Sequence, residues 1–140
     1  MAWYFVRNDS MTQATATYAV VETGADGGTA GPIKVPVGAS MIRSLRVSLN
    51  LNAQPVVTGA NYVVKLTGNA LVQGEQEIVV GSTQYEEGGG TVTATAIEIS
   101  NPVLIPVSIP LRAGNDITVN AAYVGTDPGT PDISVGLEIV

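Results

Sequence analysis

The chain has 140 residues, a net charge of −6 and neither cysteine nor histidine. That leaves no disulfide framework, no thiolate zinc site, and neither the strongest nucleophile nor the usual general base. Only 13% of its residues are charged, against roughly 25% in an ordinary soluble domain, and the six basic residues (Arg7, Lys34, Arg43, Arg46, Lys65, Arg112) are scattered with no two adjacent.

The length suits a single domain over residues 1–140. Met1-Ala2-Trp3-Tyr4-Phe5-Val6-Arg7 begins without a charged region and with too short an apolar run for a signal peptide. Residues 1–10 read either as a first strand, near Trp3 to Arg7, or as an N-terminal arm. Ala14, Ala16, Tyr18 and Val20 then alternate with polar residues. Gly24 to Pro32 holds four glycines and a proline and reads as a loop. A less regular strand is predicted over Ile33 to Val37. From Arg43 to Leu51, apolar residues occupy 45, 47, 49 and 51 and polar ones fill the even positions. This period of two buries one face of a strand and wets the other.

The same alternation recurs at Tyr62, Val64, Leu66; at Val103, Ile105, Val107, Ile109, Leu111; at Ile117, Val119, Ala121, Tyr123; and at Ile133, Val135, Leu137, Ile139. Further strands are predicted near Glu77 to Val80 and Thr91 to Ile99. Asn52 to Asn61, Glu86 to Gly90, Leu111 to Asp116 and Gly125 to Pro131 carry the turn chemistry between them. No capped window of helical period is present. The expectation is all-β: a two-sheet antiparallel sandwich of jelly-roll type with eight to ten short strands. Pro106 and Pro110 fall on the polar face of one strand. Proline cannot donate to a ladder, so that strand belongs at an edge or at a bend between sheets.

Catalysis has little to work with. Glu75 with Glu77, or Glu86 with Glu87, are the only close carboxylate pairs for glycosidase-like chemistry, and solvated loop carboxylates explain them as well. Calcium has Asp26, Asp127, Asp132 and Glu86 as candidate oxygen ligands, but no D-x-[DN]-x-[DN]-G series organises them. No enzyme activity, cofactor or metal is therefore expected. Without a cationic cluster, nucleic acid is not bound through a basic arm. No apolar stretch approaches the 18 residues of a membrane span.

The low charge points to association. Free monomers keep charges spread over their surface, whereas interface centres are depleted in them. Trp3, Tyr4 and Phe5 hold the only Trp and the only Phe, and aromatics supply anchor energy at interfaces. They and the edge prolines Pro106 and Pro110 are the candidate subunit-contact residues.

A cysteine-free chain of this length, with short strands, Gly/Pro-rich loops and an uncharged Thr/Ser/Asn surface, resembles the single jelly-roll proteins of virus shells. The likeness is carried by Ile33 to Val37, Met41 to Leu51 and Val103 to Val124. It implies two facing four-stranded sheets and self-assembly into an icosahedral shell. Its partners would be copies of itself and other virion proteins, and its place a virion assembled in the host cytoplasm. The basic arm common in small RNA-virus coats is missing, which favours a cement protein, a vertex protein or a coat over a separate inner layer. Separately, Pro110 to Val119 looks like the late hairpin of carbohydrate-binding β-sandwich modules, for which Tyr85 is the one tyrosine in a predicted loop; a tail or fibre adhesin domain would share the fold and differ by location.

Overall fold

The computed structural model describes residues 2–8, 11–13, 21–22, 24–25, 32–50, 60–88, 91–96, 99–125 and 132–140. The alternation at Ala14 to Val20 and most of the predicted loops at 24–32, 52–61 and 125–131 lie outside them. Eight strands have six or more residues: β1 (Ala2–Asn8), β6 (Met41–Asn50), β7 (Ala60–Thr67), β8 (Gln76–Gly88), β9 (Thr91–Ala96), β10 (Ile99–Pro110), β11 (Asp116–Gly125) and β12 (Asp132–Ile139). Four have two: β2 (Thr12–Gln13), β3 (Val21–Glu22), β4 (Gly24–Ala25) and β5 (Ile33–Lys34). No helix occurs among the described residues, and hence none long and apolar enough to cross a membrane.

The strands form a β-sandwich. Sheet I has the order β10-β6-β12-β1-β4, and sheet II has β2-β11-β7-β8-β9. The long strands are all antiparallel to their neighbours; short β2 lies parallel to β11. Strand β7 takes one edge of β11 over its whole described pairing, so β5, β3 and β2 line the other edge in succession, at 116–117, 120–121 and 122–123. Strands pair in a nested order, β1 with β12, β3 with β11 and β6 with β10, around the consecutive pair β7 and β8.

Between the sheets lies one apolar layer. Sheet I contributes Ile42, Leu45, Val47 and Leu49 from β6 and Ile133, Val135, Leu137 and Ile139 from β12, all nearly inaccessible. Tyr62, Val64, Leu66, Ile117 and Val119 face them from sheet II. These are the apolar positions of the period-two runs. Burying each such side chain contributes about 1.5–3 kcal/mol, which is why the alternation decides the face.

One end of the sandwich is laced by backbone hydrogen bonds. Val140 N–H donates to Met41 O at 3.0 Å, and Ser40 N–H donates to Val140 O at 2.8 Å. Leu111 N–H reaches Ser40 O at 2.8 Å, Arg112 N–H reaches Ala70 O at 2.8 Å, and Gly114 N–H reaches Val35 O at 2.9 Å. Gly68 has φ +122°, and a Cβ there would stand 2.2 Å from Asp116 O, so backbone approaches backbone at a point where only glycine fits.

Three expectations change. The Ile33 to Val37 segment is a strand only at Ile33–Lys34. Ala39 N–H then bonds Pro36 O at 3.1 Å, closing a turn that leaves Val37 exposed. Glu86, Glu87 and Gly88 are not a connection but the end of β8, paired to Thr93, Val92 and Thr91, and Tyr85 pairs with Ala94 inside that ladder. The two residues between Gly88 and Thr91 are Gly89-Gly90, a hairpin spelling that fits two strands joined by two residues. Val103 belongs to the apolar series and pairs with buried Val47, yet is exposed; β10 is the edge strand of its sheet, with no neighbour on its other side.

Val47 is fully buried in the centre of this layer. Val47→Asp would place an unpaired carboxylate there at a cost of several kcal/mol, a large fraction of a domain's net stability of about 5–15 kcal/mol. Circular dichroism is expected to show loss of the cooperative melt; an unchanged melting curve would contradict the strand's orientation.

Candidate functional site

Sequence reasoning singles out Trp3, Tyr4, Phe5, Pro106 and Pro110. Residues 2–8 are strand β1, paired to β12 from Ala2↔Ile139 to Asn8↔Ile133. Alternation along β1 sends Tyr4 and Val6 inward, where Val6 is buried and Tyr4 packs against the core. Trp3, Phe5 and Arg7 point to the outer face of sheet I. Pro106 and Pro110 lie on β10, the strand at the opposite edge, and Pro106 pairs with Ser44. Between Pro106 and Ile109 the ladder is shifted by a bulge, as proline in a sheet requires an edge or a bulge.

The register turns these residues into rows across the outer face. One row runs Pro106, Ser44, Glu138, Trp3; the next runs Leu104, Arg46, Gly136, Phe5. Four strands at about 4.8 Å spacing put β10 and β1 roughly 14 Å apart. Trp3, Phe5 and Pro106 thus belong to one continuous surface, and Tyr4 does not.

Phe5 lies over Gly136, its direct cross-strand partner. A Cβ on Gly136 would sit 2.5 Å from Phe5 Cε1 and 2.8 Å from Cδ1. The ring fills the space a side chain would take, covering a glycine that otherwise weakens a strand. Trp3 stacks on Phe5 with ring centroids 6.0 Å apart and planes 17° from parallel. The pair is therefore a flat aromatic platform, and Phe5 keeps 41% of its surface exposed. Leu104, in the same row, is 58% exposed.

The polar centre of the face is Glu138, 5% exposed; it and Ser44 are the only buried polar residues among those described. A bulge in the β6–β12 ladder, where Glu138 faces Ser44 and Ile139 faces Ile42, sets Arg43 outside the regular pairing. Ser44 Oγ donates to Glu138 Oε2 at 2.7 Å, and the Arg43 guanidinium pairs with Glu138 Oε1. The Ser44 hydroxyl, ahead of the opposing effect of burial and with help from Arg43, holds the Glu138 carboxyl below its usual range. Glu138 and Gly136 carry no distinctive local signal. They occupy outward positions of β12 and pair with Phe5 and Trp3, 131 and 135 positions away, and only the pairing reveals their roles.

The remaining candidates are dispersed. Lys65 Nζ lies 3.2 Å from Glu75 Oε2 and 3.8 Å from Glu77 Oε1, so that carboxylate pair shares one ammonium on the outer face of sheet II. Asn120 Nδ2 donates to Lys65 O at 3.2 Å and Thr67 Oγ1 at 3.1 Å beside it. Of the calcium candidates, Asp26 and Asp127 lie outside the described residues, Asp132 stands on β12 in sheet I and Glu86 on β8 in sheet II. Among the described residues no group of three or more acidic side chains is assembled to hold a metal.

Comparison of the chain with protein-family models, with curated proteins and with solved structures returns no match.

Gly136→Ala should displace the Phe5 ring and unstack Trp3. As the sole tryptophan, Trp3 reports this directly: its emission is expected to shift to the red, and an unchanged spectrum would contradict the platform. A second expectation concerns acid. A carboxyl held below its unfolded value of about 4.3 stabilises the fold above that pH, and the contribution is lost as pH falls through the folded value. The melting-temperature gap between the native chain and Glu138→Gln is expected to be widest near neutrality and to narrow below about pH 4.3. A gap independent of pH would show that the carboxylate's charge contributes nothing.

Proposed function

We propose that this domain is a jelly-roll structural subunit of a virus particle, coat or cement, that works by packing against copies of itself and other virion proteins and catalyses no reaction. The nested strand pairing carries the reading: β1 with β12, β3 with β11, β6 with β10 and β7 with β8. A chain folded back on itself in this way and rolled into two sheets is the arrangement that jelly rolls share, and viral capsid and lectin domains both use it.

The surface favours the capsid side of that pair. A lightly charged exterior with a stacked Trp3–Phe5 platform and exposed Leu104 on one sheet face is suited to being covered by protein. The edge strand β10 carries Pro102, Pro106 and Pro110, which blunt strand addition at that edge, so packing through faces is preferred to packing through edges. Assembly would take place in the host cytoplasm, with genome contact left to other components because the basic residues form no arm.

The aromatic platform also favours a second reading, a carbohydrate-binding β-sandwich, since sugars stack on flat exposed rings. The two readings separate in solution. As a shell subunit the purified chain is expected to form rings or particles in light scattering and negative-stain micrographs, with contacts burying over about 1,000 Å² each. A clean monomer at high concentration would overturn the shell reading, and quenching of Trp3 emission by oligosaccharides would replace it with the second.

A further inference from the structure

We infer that the outer face of sheet I docks head to tail on the outer face of sheet II of a second copy. This rests on the self-assembly reading and names the two surfaces it would use. Each face combines an exposed apolar side chain with a neighbouring charge, and the charges are opposite in sign. On sheet I, Leu104 is 58% exposed and pairs with Arg46. On sheet II, Val79 is 61% exposed and lies two residues along β8 from Glu77, on the same side of the strand.

The wider charge pattern agrees. Arg7, Arg43 and Arg46, half of the chain's basic residues, lie on the outer face of sheet I against Asp132 and Glu138 among its described residues. The described outer face of sheet II has Lys34 and Lys65 against Glu75, Glu77 and Asp116, with Glu75 and Glu77 well exposed at 62% and 48% of their side chains. A basic, aromatic face meeting an acidic one is favourable, whereas packing sheet I on its own copy would set the Arg46 rows against each other. A contact between two different patches does not close at two copies; it continues into a ring where the rotation closes and an open filament where it does not.

The absence of cysteine gives a clean test. Leu104→Cys and Val79→Cys alter exposed positions and are made as separate full-length chains, with circular dichroism verifying the fold. Under mild oxidation the mixture is expected to yield disulfide-linked pairs of one variant with the other, and neither variant alone should yield comparable dimers. Efficient dimerisation of Leu104→Cys by itself would overturn the inference in favour of a two-fold contact of sheet I. Particles in light scattering without a 104–79 cross-link would overturn it while leaving self-assembly intact. A strictly monomeric chain would overturn the self-assembly reading as well. Arg46→Glu is further expected to weaken association about tenfold and Glu77→Arg in the same chain to restore it; weakening without restoration would count against the pairing of these two faces.

Discussion

Strand β12 is paired on both sides, with β1 along one edge and β6 along the other, and the two faces of the molecule follow from its register. Ile133, Val135, Leu137 and Ile139 occupy the inner face and are at most 2% exposed. Because side chains alternate with a period of two, a slip of one residue would send all four to the outer face. The hydrophobic layer thus locks the register, and the locked register in turn delivers Gly136 under Phe5 and Glu138 beside Ser44. The surface proposed to bind partners is set by the interior.

That surface has two chemically distinct halves. On the β1 side, the aromatic pair covers the one position on β12 that has no side chain, so the platform is held flat against the sheet. Toward β6, a carboxylate that would be costly to bury alone is satisfied by a hydroxyl and a guanidinium. No buried side-chain nitrogen or oxygen among the described residues lacks a hydrogen-bond partner.

The edges are managed differently from the faces. Prolines occupy three positions of β10, and β11 has its outer edge lined by three two-residue segments. Both arrangements limit unpaired backbone that would otherwise recruit strands from other chains. At one end, the bonds joining Val140, Ser40, Leu111, Arg112 and Ala70 tie the corners together, and Gly68 lets its backbone pass close to that of Asp116 beside them.

The sequence by itself determined the fold class and the inner face. Period-two runs such as Leu45, Val47, Leu49 are local, and burial acts on each strand wherever it is placed, so alternation alone tells inside from outside. It also confined β10 to an edge or a bend between sheets, because the missing proline N–H is a property of the residue; the sheet order makes it the edge. The extent of β8 was not legible: two adjacent glutamates and a run of glycines read as a loop, and only the ladder to β9 carries the strand to Gly88. Only the tertiary structure decided which strands are neighbours. Pairing between β1 and β12 joins residues more than 120 positions apart, and no local pattern encodes it. The Phe5–Gly136 contact, the Ser44–Glu138–Arg43 cluster and the row from Leu104 through Arg46 to Phe5 all depend on that pairing. A candidate surface made of cross-strand neighbours exists only once the register is set, which is why Trp3, Phe5 and Pro106 could be named from sequence while Leu104, Arg46, Gly136 and Glu138 could not.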